Sequence, residues 1–169
     1  MITPVYCVMM TRYNAWQNRQ LVTALDPVPE ADIVAERGAF FGSILGTLNH
    51  VLWADQIWMS RFDDRFEKPR GGIPDSPTVC ADYAAWKAAR ADLDSRMAEW
   101  AGGVTATELS GDVEWYSGAA ERDVVKPRAF CITHMFNHAT HHRGQVHTMM
   151  TSAGLTGNTS DLVFIPEGV

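Results

Sequence analysis

"FFGSILGTLNHVLWADQIWMSRF", residues 40–62, is the stretch that decides the predicted fold. Its large apolar residues recur at intervals of three and four, which is the period of an α-helix. Apolar residues also occupy much of the opposite face, so we expect a helix from Ala39 to Phe62 that is buried nearly all round. The stretch is long enough to cross a membrane, but polar residues interrupt it, among them Asn49, His50, Asp55 and Gln56. We therefore predict a core helix and no membrane span.

The rest of the chain also favours helices. Periodic apolar residues predict long helices over 5–25, 79–101 and 127–152 and a short helical turn over 31–36. Ser76 or Thr78 is the predicted cap of the helix that starts at 79. Two β-branched and aromatic pieces, "DVEWYS" and "ERDVVKP", precede the last helix and favour a small β-hairpin. We predict an all-α fold, a four-helix bundle with a long crossover connection before the last helix that includes this hairpin.

Composition limits the class of protein. The 169 residues and the absence of any linker predict a single domain over 1–169. A net charge of −6, with arginines scattered among acidic residues, argues against nucleic-acid binding, which needs a basic surface. The three cysteines, Cys7, Cys80 and Cys131, are odd in number and widely spaced, so we expect no disulfides, a cytoplasmic location and a buried structural thiol at Cys131. The N-terminus lacks the features of a signal peptide.

Five of the six histidines lie within residues 134–150, on the predicted last helix. Two pairs are four residues apart, His134/His138 and His138/His142, and that spacing places two imidazoles on one helix face, where they can bind one divalent ion. Helix geometry alone permits either pair to supply the two metal ligands. A third ligand must come from a facing helix, and His50 in the most apolar helix is the candidate.

The alternative interpretation of His50 is a core histidine that bonds to a backbone carbonyl or to Asn49. His141 lies about 60° from the column of His138 and His142, so we expect it to be exposed or to support a ligand. His147 is predicted at the surface.

Three motifs in order, "RYNAWQNRQL" (12–21), "FFGSILGTLNHVLWADQIWMSRF" and "HATHHRGQ" (138–145), closely resemble the DinB family of metalloproteins. The resemblance implies a four-helix bundle with a three-histidine metal site. It places the ligands at His50, His138 and His142, and removes His134 from the set. It also implies a homodimer that binds one nickel or zinc ion per chain, and it suggests that Tyr13, Asn14 and Trp16 line the mouth of the site.

Three imidazoles leave positions open on a divalent ion, which is typical of catalytic sites. We therefore predict a metal-dependent enzyme that uses a small thiol or water against an electrophilic substrate. The resemblance alone favours a reaction like that of a thiol S-transferase over that of a hydrolase. No catalytic residue beyond the ligands can be named. The alternative is a non-enzymatic, stress-related metal-binding protein.

Several neighbouring residues have predicted roles. Asp55 should hold a neighbouring helix or face solvent. The tryptophans should be core residues, apart from Trp53, which lies one turn from His50. Arg143 and Gln145 either orient the imidazoles or pack structurally. Gly144 should allow another helix to approach closely.

Overall fold

A computed structural model describes residues 2–168, and they are mostly helical with a small two-stranded antiparallel sheet. The helices are α1 (Pro4–Leu25), α2 (Glu30–Val34), α3 (Ile44–Phe62), α4 (Tyr83–Gly103) and α5 (Arg128–Ser152). The strands are β1 (Asp112–Ser117) and β2 (Arg122–Pro127), and short 3-10 helices span Ile73–Thr78 and Leu162–Phe164. No helix within residues 2–168 is long and apolar enough to cross a membrane.

The four long helices pack side by side. α3 packs against α4 and α5, and α1 packs against the same two helices. Nearly every residue of α3 is buried, as its all-round apolar pattern predicts. The helix begins at Ile44 and not at Ala39, because Gly42 has a positive φ of 76° and Ser43 caps the first turn by accepting a hydrogen bond from the Gly46 N–H.

The predicted hairpin is confirmed. Strands β1 and β2 pair antiparallel in the register Asp112↔Pro127 through Ser117↔Arg122, within the connection between α4 and α5. A turn over residues 118–121 joins the two strands.

The predicted cap of the third long helix is wrong. α4 begins at Tyr83, and Asp82 caps it by accepting from the Ala85 N–H at 2.7 Å. Ser76 and Thr78 instead belong to the 3-10 helix Ile73–Thr78, which packs against α3. This packing brings Ser76, fully buried, to His50.

Buried charges connect α3, α4 and α1. Arg90 on α4 donates to Asp55 at 2.7 Å and forms an ion pair with Asp94 at 2.9 Å. Asn18 on α1 donates to Asp94 at 3.0 Å. The prediction that Asp55 holds a neighbouring helix is therefore confirmed.

Candidate metal centre

Three histidines converge between α3 and α5. The Nε2 atom of His138 lies 3.3 Å from Nε2 of His50 and 3.0 Å from Nε2 of His142. One ring nitrogen of each residue lies within 4.8 Å of the other two, a separation that one metal ion can bridge. His50 and His142 are buried and His138 is half-buried.

Hydrogen bonds fix the ring hydrogens of two of these imidazoles. The Ser76 hydroxyl donates its own hydrogen to the Ile73 carbonyl at 2.7 Å, so it must accept the His50 Nδ1–H at 2.8 Å. The amide oxygen of Gln145 can only accept, and it lies 2.7 Å from Nδ1 of His142. Both Nε2 atoms therefore carry a bare lone pair directed towards His138.

His138 cannot satisfy both of these lone pairs. A neutral imidazole has one ring hydrogen, so it can donate to at most one of the two neighbouring Nε2 atoms. Its Nδ1 is buried and has no hydrogen-bond partner among the described residues. A cation between the three rings accepts every lone pair at once, and the residues present therefore fit a divalent metal ion.

Burial keeps these imidazoles neutral. It lowers the pKa of His50 to about 4, and, together with the charges of the neighbouring histidines, it lowers the pKa of His138 to about 3. Burial also lowers the pKa of His142, against the effect of its hydrogen bond to Gln145. The neutral form is the one that binds a metal, so the cluster is ready for an ion at neutral pH.

Aromatic rings enclose the cluster. Phe41 stacks on His50 with ring centroids 3.8 Å apart and meets His142 edge-on at 5.5 Å. Trp53 is buried, and its ring centroid lies 6.1 Å from that of His50 at the wall of a cavity. These rings hold the imidazoles in place and restrict water around His50.

The other three histidines lie outside the group. His134 contacts Trp58 at a centroid distance of 5.2 Å and His138 at 5.7 Å. His141 is exposed, 3.3 Å from the Gln145 amide nitrogen, and His147 lies 3.5 Å from Asn158.

A cavity of about 700 Å³ opens beside His50 and His138. Its wall combines tryptophans, cationic side chains and the turn of the hairpin, namely Trp53, Trp58, Trp115, Arg61, Lys68 and residues 117–119. Trp58 and Trp115 were expected in the core and instead line this cavity. Trp86 and Trp100 are core residues as predicted.

One expectation that the resemblance suggested is wrong. Tyr13, Asn14 and Trp16 do not line the cavity beside the histidines: Asn14 accepts a hydrogen bond from Arg143, and Tyr13 donates to the Ser160 carbonyl at 2.5 Å. Arg143 therefore packs structurally, in contact with α1, whereas Gln145 orients a ligand.

Gly144 is exposed, and a Cβ atom added to it would meet nothing within 4 Å. No helix within residues 2–168 approaches it, so its predicted packing role is wrong. Cys131 is buried, as expected, and burial raises the pKa of its thiol.

Ser76 is the residue of the site that sequence reasoning missed. Its position in a turn-rich stretch suggested a helix cap, and no motif connects it to His50, 26 residues earlier. The Ser-Pro within "GGIPDSP" signals a turn but not the contact that this turn makes.

Comparison with known proteins identifies relatives of this chain. A sequence model of the DinB family matches residues 1–168. The crystal structure of a DinB-like protein from Bacillus cereus ATCC 10987 is similar, with a TM-score of 0.61 and 19% sequence identity. The match covers 85% of this chain and 90% of that chain, and at this identity it shows a shared fold. None of the curated proteins compared with the chain matches it.

Proposed function

The chain belongs to the DinB family, and we propose that it is a metal-dependent enzyme acting on a small electrophile. His50, His138 and His142 are its proposed ligands, for one nickel or zinc ion per chain. The observation that carries the proposal is the convergence of their Nε2 atoms, two of which carry lone pairs fixed by Ser76 and Gln145.

The cavity beside the histidines favours a catalytic metal site over a purely structural one. Structural zinc sites are usually closed by four protein ligands, whereas three imidazoles leave room for another molecule. His50 and His138 also line the cavity, so a bound substrate would lie next to the proposed ligands.

The preferred reaction is transfer of a small-molecule thiol to the electrophile. A sulfur–carbon bond forms, the bond to the leaving group breaks, and the thiol proton passes to solvent. A divalent ion bound by the three imidazoles would supply Lewis acidity to the thiol, or to water in the hydrolytic variant of the reaction. The protein contributes orientation through Ser76 and Gln145 and limits water around His50 through Phe41 and Trp53.

A second candidate is a stress-related metal-binding protein without catalysis. One observation favours it: the described cavity wall contains no Asp or Glu, and its one imidazole outside the proposed ligands, His134, packs edge-on against Trp58, so few groups there could serve as a general base.

The test combines metal content with turnover. Elemental analysis of untagged protein should find about one nickel or zinc ion per chain, lost in His50→Ala and His142→Ala and retained in the matched control His141→Ala. The same proteins are then assayed for thiol consumption with a chloronitrobenzene electrophile across a panel of low-molecular-weight thiols. Full metal content in His142→Ala would refute the ligand set. Metal binding without turnover for any thiol, and without hydrolysis, would favour the second candidate.

The proposal extends to the assembly. The four long helices form one four-helix-bundle domain, supported by the contacts of α3 and α1 with both α4 and α5. We expect a cytoplasmic homodimer that binds no nucleic acid, and light scattering after size-exclusion chromatography should give twice the 18.7 kDa chain mass.

A further inference from the structure

The cavity beside the histidines has a charge of its own. Arg61 and Lys68 line it, and no acidic side chain is among its described lining residues. The chain as a whole has a net charge of −6, so this local excess of positive charge is not an average property of the surface. A cationic cavity in an acidic protein attracts an anionic ligand.

The side chain of Arg61 lies against two tryptophan rings. Its guanidinium carbon lies 4.5 Å from the ring centre of Trp58 and 5.0 Å from that of Trp115. Across residues 2–168, no carboxylate pairs with this guanidinium and no oxygen accepts a hydrogen bond from it. Burial lowers the pKa of Arg61, in keeping with a charge held partly out of water. Arg61 is half-buried and its charge lies against the two tryptophan rings at the cavity wall, so an anionic group that enters the cavity would meet a cation that no carboxylate neutralises there.

The shape of the cavity defines where that ligand would lie. Arg61 and His50 are both on α3, eleven residues apart, which corresponds to about 16 Å along the helix axis. Trp53, Ile57 and Trp58 line the wall between them. The cavity is therefore polar at each end and apolar in its middle.

We propose that the cavity binds a small aromatic carboxylate, with its carboxylate paired to Arg61 and its apolar body against Trp53 and Trp58. A guanidinium presents parallel N–H donors that match the two oxygens of a carboxylate. This inference rests on the proposed function, because it names the substrate class of the same site. The other end of the ligand would point along the apolar wall towards His50 and His138.

Isothermal titration with 2-naphthoate and its neutral isostere 2-naphthamide tests the inference. Each probe is titrated into the protein as purified and after treatment with a chelator, so that binding of the carboxylate to a metal is separated from pairing with Arg61. The chelated wild type should bind the carboxylate at least tenfold more tightly than the amide. Arg61→Gln should reduce that preference to less than threefold, and Arg61→Lys should keep part of it.

Arg65→Gln is the matched control. Arg65 follows α3 closely, but its charge pairs with Asp63 at the surface, at 2.6 Å, and it does not line this cavity. The variant should retain the full preference for the carboxylate. Circular dichroism checks that every variant is folded, and Lys68→Gln, an exposed substitution in the same cavity, should show a smaller loss than Arg61→Gln.

Two results would overturn the inference: a wild type that binds both probes equally or not at all, and a preference that survives unchanged in Arg61→Gln and Arg61→Lys. Metal content is measured on the same samples. A preference that depends on Arg61 in a protein that binds no metal would support this inference while refuting the proposed function, so the two can fail separately.

Discussion

Removing the Ser76 hydroxyl should weaken metal binding without removing any ligand. Ser76 is fully buried and accepts the His50 Nδ1–H at 2.8 Å, which orients the ring so that Nε2 faces the other imidazoles. Loss of such a partner typically lowers metal affinity by about 10- to 100-fold. For Ser76→Ala we therefore expect a free energy of metal binding that is less favourable by about 1.4–2.8 kcal/mol.

Competition with a chromophoric chelator measures the zinc affinity of the variant. Thr78→Ala is the matched control, because the Thr78 hydroxyl donates to the Asp75 carbonyl in the same short helix, as Ser76 does to Ile73, but contacts no histidine. Thermal unfolding of both metal-free variants shows whether the short helix is intact. If Ser76→Ala binds zinc as tightly as Thr78→Ala, the hydroxyl does not orient the ligand and the reasoning is refuted.

Three further predictions concern stability. Asp55→Ala should lower the free energy of unfolding by about 1–3 kcal/mol, since it removes one of the two carboxylates that pair with buried Arg90 while Asp94 remains. Denaturant unfolding measures the loss, and an unchanged free energy of unfolding would contradict this prediction. Gly144→Ala should raise the free energy of unfolding by about 0.5–1 kcal/mol, because Gly144 is exposed within α5 and has space for a Cβ atom. A lower free energy of unfolding in denaturant would contradict this prediction. The metal-free protein should lose stability as the pH falls from about 6.5 to about 4, because unfolded imidazoles take up protons there while folded His50 and His138, with pKa values of about 4 and 3, stay neutral. Urea unfolding across this range checks the sign, and a flat profile would count against the buried neutral cluster.

Periodicity predicted the long helices and the hairpin, but it did not predict where two helices begin. Phe40 and Phe41 are apolar, so the sequence pattern predicts that α3 begins before Ile44. In the structure it begins at Ile44, because Gly42 has a positive φ and Ser43 caps the first turn. Before α4, several residues are chemically able to cap, and which one does so depends on the fold of the preceding 3-10 helix. The local sequence therefore indicates several residues at which a helix could begin, and tertiary packing determines at which of them it does.

The three histidines of the cluster could be predicted, because two share a helix face and His50 is the candidate on a facing helix; the motif resemblance then removed His134 from the set. The contacts that surround these histidines could not be predicted from the sequence. Ser76 reaches His50 through the packing of a short helix on α3, which leaves no periodic signal. Arg143 follows the last histidine directly, yet its side chain contacts Asn14 on α1, so adjacency in sequence was a poor guide to its role.

The small sheet lies outside the packed helices, and its turn forms one wall of the cavity while the histidines lie on α3 and α5. A two-stranded hairpin tolerates changes in length and side chains far better than a buried helix does. Related chains can therefore diverge in ligand preference through residues 117–121 and their flanking strands while the histidine cluster stays in place. Exchanging this hairpin between relatives is a direct route to redesigned selectivity.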